Sequence, residues 1–407
     1  MKEKKTMQKT MQFDIDPSQE AARATTWLSH GLETLVAKYP WLANPDQRPA
    51  EGEHADFDFD IVIVGSGYGG AVAASELAAC VDAKGNAPRI CILERGKEYL
   101  AGMFPSRMAD LVGHVRFATP KGKAAKGVRD GLFDIRMGDD ATALVSNGLG
   151  GGSLINAGVM EMPLDSVFRE ARWPKAIRED KTLLNAGKLL RTRLGASVVS
   201  PQFKKTDAVE ALAGGMPQED GQSAFKKTWV TVAAKDGQNS AGVLLDKCKN
   251  CGDCATGCNY NAKDSLDLNL LRLAERGGAK LYTGATVLRV EPIGADGSGW
   301  LLHLNHTDEH LRERQPTPFT LRARRVILAA GTFGSTEILM RSRDKLKLSA
   351  HLGHKFSING DMIAVAHEID REANAVADEA TLPDDRHVGP TITAMLDLRA
   401  GKKKPSL

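Results

Sequence analysis

The chain has 407 residues, 54 Lys and Arg against 51 Asp and Glu, and 42% hydrophobic side chains. At ~150 residues per domain this length predicts two or three domains, and the ordinary apolar and charged fractions exclude a mainly disordered chain. The formal charge is +3, and much of that excess sits in Lys2, Lys4, Lys5 and Lys9 at one end and Lys402 to Lys404 at the other; the near-neutral body excludes a nucleic-acid or membrane-surface protein.

Residues 1–56 read as an appendage: a polar start, an amphipathic helix carrying Trp27, Leu28, Leu32, Leu35 and Val36, then an acidic linker with Pro45, Pro49, Glu51, Glu53 and Asp56. The start shows neither a basic-then-apolar leader pattern nor a twin arginine, so a cytoplasmic protein is expected. From residue 57 the pattern changes to a buried strand, Phe59-Asp60-Ile61-Val62-Ile63-Val64. A helix rich in small residues follows from Gly67, with Ala71, Ala73, Ala74, Ser75, Ala78 and Ala79. The next apolar run, Ile90-Cys91-Ile92-Leu93, completes a βαβ unit with a parallel strand pair.

Glycine is in excess, 40 of 407 residues, about 10% against a typical ~7%, and it clusters. Gly65, Gly67 and Gly70 form Gly-x-Gly-x-x-Gly between that strand and helix, with Glu94 at the end of the second strand. Each part suits a dinucleotide. Gly65 allows the tight turn, Gly67 lets the backbone approach a pyrophosphate, and Gly70 lets helix and strand pack closely. The helix N-terminus offers free N–H donors, and Glu94 can accept from ribose hydroxyls while disfavouring a 2′-phosphate. This points to an FAD or NAD type of ligand rather than NADP.

The longest uncharged segment, residues 141–160, holds five glycines with Ser146, Asn147, Ser153 and Asn156. It reads as a loop, and no segment is expected to cross a membrane. Within it, Gly150-Gly151-Gly152 is interleaved with Leu149, Leu154 and Ile155. Consecutive glycines disfavour a regular element and fit a place where a planar or anionic group presses on the main chain. Two such loops in one nucleotide domain imply a cofactor longer than NAD.

Residues 165–240 are mixed and turn-rich, consistent with a second domain or cap. Cys248, Cys251, Cys254 and Cys258 follow with the C-x2-C-x2-C-x3-C spacing of a bacterial ferredoxin half, which can grip three corners of a [4Fe–4S] cluster. No second set is present, position 259 is Asn rather than Pro, and structural zinc prefers knuckles further apart. An iron–sulfur site and a reduced-cysteine loop both remain open. Cys80 and Cys91 read as small core residues. A helix over 265–276 leads into the strand pair Lys280–Thr283 and 286–291, then a strand over 300–305, a strand over 325–330, Gly331 and a helix over 335–341. The remainder, 351–407, reads as loop and strand.

These motifs together, with Val326-Ile327-Leu328-Ala329-Ala330-Gly331-Thr332 and Phe356-Ser357-Ile358-Asn359-Gly360-Asp361, resemble the glucose-methanol-choline (GMC) oxidoreductase family, and within it the cholesterol-oxidase-like branch, over about residues 57 to 365. The resemblance implies an α/β fold: a discontinuous Rossmann-like FAD-binding domain with a second, α+β substrate or cap domain. On that basis 1–56 is an N-terminal extension, 57–164 and 241–350 form the FAD-binding domain with the Cys-rich loop in its second part, and 165–240 and 351–407 form the substrate domain, incomplete at its end. The cofactor is then FAD. Tyr68 and Gly69 lie along its pyrophosphate and Glu94 on its ribose. Gly151, Gly152, Asn156, Ala157 and Val159 line the flavin, and the main chain at Val287 pairs with the adenine.

The family reaction removes a hydroxyl proton to a base while hydride passes from the carbinol carbon to flavin N5. Its base is a His, paired with His or Asn, in a C-terminal segment with a His-Pro-Leu-Gly-Gly-like motif. None of His30, His54, His114, His303, His306, His310, His351, His354, His367 and His387 sits in such a motif. His303, His306 and His310 read as solvated; His351 and His354 could approach the site, and Asn359 and Asp361 are better placed to line it. The chain is therefore expected to be truncated, to lack its catalytic residues and to have little alcohol-oxidising activity alone. One reading is an FAD-dependent oxidoreductase acting on a hydrophobic or sterol-like small-molecule alcohol, with dioxygen or another electron acceptor. The other is an iron–sulfur electron-transfer flavoprotein or an inactive FAD-binding fragment.

Overall fold

The computed structural model describes residues 22–23, 26–118, 125–216, 223–294, 297–366, 368–375 and 387–398; the basic tails and His367 lie outside them. An unbroken apolar run suits a strand covered on both faces, and Phe59–Val64 is one. Val62 and Val64 enter one core with Cys91 and Leu93, while Ile61 and Ile63 enter the other with Ile90 and Ile92. The two-residue period of the strand sorts them.

Around this pair a seven-stranded sheet runs in the order Ala285–Ile293, Gly299–His306, Phe319–Leu328, Phe59–Val64, Ile90–Leu93, Lys280–Thr283, His30–Gly31. The first three strands are antiparallel neighbours, and every pair from Phe319–Leu328 to His30–Gly31 is parallel. Helix Tyr68–Ala78 covers one face. Gly70, Ala71, Ala74, Ser75 and Ala78 are its buried residues, and its end packs so closely on the chain after helix Leu270–Arg276 that a Cβ at Gly277 would lie 2.7 Å from that of Ala78. Small side chains are what permit that approach. A second sheet, Lys126–Gly127, Val115–Ala118, Phe133–Met137, Thr142–Ser146, leads directly into the second glycine run. Residues 165–240 supply helices Thr182–Arg193 and Lys204–Gly214 with short strand pairs.

Several expectations change. The segment read as an appendage is part of the sheet: His30–Gly31 pairs with Tyr282 and Thr283. Helix Leu32–Lys38 then places Leu32 and Leu35, both fully buried, against Val62 and Val64. Trp27 precedes the helix and stays exposed. Glu98 anchors this entry, accepting from Leu28 N at 2.7 Å, Ser29 N at 2.8 Å and Ser29 Oγ at 2.7 Å. The helix read over 265–276 begins only at Leu270. The amide of Asn269 is spent on Asp264 Oδ2 at 2.9 Å and Arg193 O at 2.9 Å, which holds the preceding residues in turns. Strands Lys280–Thr283 and Ala285–Ile293 are not partners; they lie far apart in the sheet. The strand read over 325–330 spans Phe319–Leu328, with Phe319, Leu321 and Ala323 buried between outward Thr320 and Arg322, and the following helix begins at Gly331.

Replacing Leu35 by Ala removes a fully buried side chain from this core and should cost about 2–5 kcal/mol. Urea unfolding should show a lowered midpoint, whereas a loosely attached extension would leave it unchanged.

Candidate functional site

The two glycine runs meet. Gly65 ends its strand at φ +97°, and a Cβ there would lie 2.5 Å from Ala329 O. At Gly70 a Cβ would lie 2.0 Å from Gly65 O, and at Gly151, at φ +56°, it would lie 2.6 Å from Gly67 Cα. The protein itself therefore demands glycine at these positions. At Gly67 and Gly69 the nearest atom to a built Cβ is 3.9 Å away, and at Gly152 nothing lies within 4 Å. Space is left there on the cleft side, the shape of a cradle that a Cβ would fill, and this fits a ligand pressed onto the main chain.

Hydrogen bonds lock the two loops in register. Gly150 N–H donates to Ser66 Oγ at 3.0 Å, and the Ser66 hydroxyl donates to Glu94 Oε2 at 2.6 Å. Ser66 N–H reaches the same oxygen at 3.1 Å, and Gly96 N–H donates to Oε1 at 2.9 Å. Glu94 is thus oriented by the loop while still lining the cleft. Across the mouth, Asn156 Nδ2 donates to the Tyr68 hydroxyl at 2.7 Å.

The cleft encloses about 1400 Å³. Both loops, Glu94, Val287, the turn after Ala329 and residues around Phe356 line it. At Val287 the ladder slips before Arg289, a bulge of the kind that re-aims main-chain groups. One wall is rich in arginine. Asp134 is fully buried and bonds Arg95 at 2.8 Å, Arg136 at 3.0 Å, and Arg116. Burial alone would raise its carboxyl, but the Arg95, Arg136 and Arg116 guanidiniums outweigh this and hold it below the usual range. These three arginines line the cleft with Arg129, Arg312 and Arg341, interleaved with Glu337, which pairs with Arg136 and Arg341, and with Asp140 and Asp361; their guanidiniums are groups that can meet an anionic part of a ligand.

The cleft floor is pinned from below. Lys263, 2% exposed, donates to Leu154 O at 2.7 Å, Asn156 O at 3.1 Å and Cys254 O at 2.7 Å. Ser153 Oγ donates to Gly150 O at 2.8 Å and accepts from Leu266 N at 3.1 Å. Asp267 Oδ1, which has no hydrogen-bond partner, lies 3.4 Å from the Cβ position of Gly150. Ala157 and Val159, by contrast, lie off the cleft wall; Val159 bridges Val230 and packs among Val199, Val230 and Cys248.

Among the described residues no group of three or more His, Cys, Asp or Glu side chains is placed to hold a metal ion. Burial pushes the Cys248 thiol up to about 11 and Cys251 up to about 12, and raises Cys258 as well. Asn259, where the ferredoxin pattern has Pro, clamps a neighbouring loop: its side chain accepts from Gly102 N at 2.9 Å and Phe104 N at 3.0 Å and donates to Phe104 O at 3.1 Å.

Of the histidines read as solvated, only His310 is exposed. His306 is buried edge-on to Phe319, and His303 bonds Glu291 at 2.8 Å. Their strand lies inside the sheet, so alternation carries these rings inward or against a neighbour. His351 and His354 are exposed and do not line the cleft, whereas Asn359 and Asp361 do. Ser66, Lys263 and the Asp134 cluster were missed by the motif reading.

A family model described as GMC oxidoreductase matches residues 59–357. A cholesterol oxidase of Acinetobacter baumannii is 27% identical over 336 residues, 76% of this chain and 55% of that one. A cholesterol oxidase of Mycobacterium tuberculosis is 29% identical over 329 residues, 76% of this chain and 53% of that one. The chain thus spans about half the length of the curated relatives it matches. Among solved structures, a formate oxidase of Aspergillus oryzae aligns with 15% identity over 70% of this chain and 48% of that one, at a TM-score of 0.40.

Burial raises the Asp264 carboxyl to about 7 and Asp267 to about 6, against about 4 in the unfolded chain. Between these values the folded protein keeps protons that the unfolded chain has lost, so this contribution to stability falls as pH rises from about 4 to about 7. Asp267→Asn should remove its share, on the order of 3 kcal/mol, and flatten that part of the curve. Urea unfolding across this pH range checks the slope.

Proposed function

The chain belongs to the GMC oxidoreductase family, and from that premise we propose that it is part of an FAD-dependent oxidoreductase acting on the CH–OH group of a hydrophobic, sterol-like alcohol. The observation that carries the reading is the pair of glycine loops in main-chain contact, with open cradles at Gly67, Gly69 and Gly152 facing one cleft. Gly65 and Gly70 shape the first loop, Gly67, Tyr68 and Gly69 hold the pyrophosphate, and Glu94 takes the ribose. Gly151, Gly152 and Asn156 hold the flavin, with Ala157 and Val159 supporting them, and the main chain at Val287 meets the adenine. FAD bound there would supply the electron sink, accepting hydride at N5. The chain's own residues bind and orient: the arginine wall faces anionic groups, and the Tyr68–Asn156 bond spans the mouth. The sterol-like class is supported by the two relatives named cholesterol oxidase.

Under this reading residues 57–164 and 241–350 form the cofactor part and 165–240 and 351–407 the substrate part of a cytoplasmic enzyme. Among the described residues no helix is long and apolar enough to cross a membrane. The iron–sulfur alternative is favoured by no observation at the cysteine loop.

Titration of the purified chain with FAD, followed by quenching of flavin fluorescence, tests the proposal. The chain should bind FAD. Gly152→Ala meets nothing within 4 Å and should keep the folding stability while weakening FAD at least tenfold, about 1.4 kcal/mol. No FAD binding by the unaltered chain, or undiminished binding by Gly152→Ala, refutes the assignment. Because the chain alone is expected to turn over little alcohol, perturbation of the bound flavin's absorption spectrum by cholesterol and by a short-chain alcohol tests the substrate class; a response to the short-chain alcohol alone overturns it.

A further inference from the structure

Lys263 is buried and touches both the cysteine loop and the cleft floor through hydrogen bonds of a single group, and its chemistry is unusual. An ammonium has three protons to donate and no lone pair, whereas a neutral amine has two protons and a lone pair. Nζ here faces three carbonyl oxygens, of Leu154, Asn156 and Cys254. A neutral amine would set its lone pair against one of them, so the geometry selects the charged form. Burial works against that charge, and no salt bridge to Lys263 exists among the described residues. The side chains of Cys254 and Cys258, then of Asp267 and Asp253, act on it only through longer-range attraction. A buried cation held this way keeps much of its field, because little water is present to screen it.

The position of the charge matters more than its existence. Leu154 closes the short helical turn Gly151–Leu154, and Asn156 lines the cleft. The cation therefore sits directly beneath the main chain on which the cofactor rests in the reading above. A neutral amide is cheaper to bury, but its two N–H donors could meet only two of these three carbonyls. What only an ammonium or guanidinium adds is a positive field under the loop.

We propose that Lys263 is a positioning residue that holds residues 154–156 by three hydrogen bonds and, through its charge, raises the reduction potential of FAD bound above it. The inference rests on the FAD assignment and has its own readout. A cation beneath the site favours the more electron-rich oxidation state of the cofactor, and Asp267, a carboxylate on the same side, opposes it.

The test measures FAD affinity and the midpoint potential of bound FAD at pH 8 in the full chain, in Lys263→Met and in Asp267→Asn. Lys263→Met should bind FAD at least tenfold more weakly and show a more negative potential. Asp267→Asn should show a more positive potential. If the unaltered chain fails to bind FAD, the cofactor assignment falls and takes this inference with it. If the chain binds FAD and Lys263→Met binds more weakly at an unchanged potential, the lysine is structural only and the inference is overturned. If circular dichroism shows Lys263→Met unfolded, Asp267→Asn decides: a positive shift supports the inference and an unchanged potential overturns it.

Discussion

The contact between Gly67 and Gly151 is the constraint on which the rest of the site depends. Two loops, one ending a strand of the large sheet and the other leaving the four-stranded sheet, come so close that a Cβ at Gly151 would stand 2.6 Å from Gly67 Cα. Main chain against main chain at that separation tolerates no side chain on the facing side. It also exposes N–H groups from both loops, and these must find partners or a ligand. Part of the demand is met internally, by Gly150 N–H on Ser66 Oγ and Ser66 N–H on Glu94. The relay ends on a carboxylate that the sheet itself positions, so the register of the loops is tied to the register of strand Ile90–Leu93.

Buried charge is the second organising feature, and each instance ties two or more elements together. Glu98 holds the entry of the N-terminal segment, Asp134 gathers the arginines of the cleft wall, and Asp58 takes Arg48 and the Trp41 indole N–H. Replacing such groups by apolar ones of similar shape is often neutral or stabilising, whereas removing one partner is costly. Their value here lies in the geometry they enforce. Asp134 aligns three guanidiniums along one wall, and Glu98 ties the chain before His30 to the strand that ends in Glu94.

Much of the fold was legible because its signals are local. The βαβ unit announces itself through a six-residue apolar run, a glycine string and small helix residues, all within reach of one another. Helix Leu32–Lys38 shows the limit. Its stripe correctly indicated one buried face, but nothing local told that the face would meet Val62 and Val64 or that His30–Gly31 would extend the sheet. Strand Phe319–Leu328 changes character along its length, from an alternating first half with Thr320, Arg322 and Arg324 outward to the apolar run over 326–328, and only the run announces a buried strand. In the site, the glycines were readable as backbone requirements. Ser66 was not, since its partner Gly150 is 84 positions away and the position between two glycines of the fingerprint admits many residues. Lys263 was hidden by the sound default that lysines are exposed.

The cysteine loop shows how one spacing can serve different physics. Ligand thiols must converge on a point, and among the described residues no group of three or more His, Cys, Asp or Glu side chains is placed to hold a metal ion. Cys248 and Cys254 pack instead with Val199, Phe203, Val230 and Val232, as small hydrophobes do. The loop's polar groups are engaged elsewhere. Thr391 accepts from Cys254 N at 3.1 Å and donates to Gly252 O at 2.7 Å, and Asn259 fastens the loop end to Gly102 and Phe104. The Cys254 carbonyl is left pointing at Lys263. A loop immobilised at both ends can hold one carbonyl fixed against a buried ammonium, and that ammonium fixes two more in the glycine loop. The Asn that departs from the ferredoxin pattern is thus part of what makes the loop a rigid prop for the cleft floor.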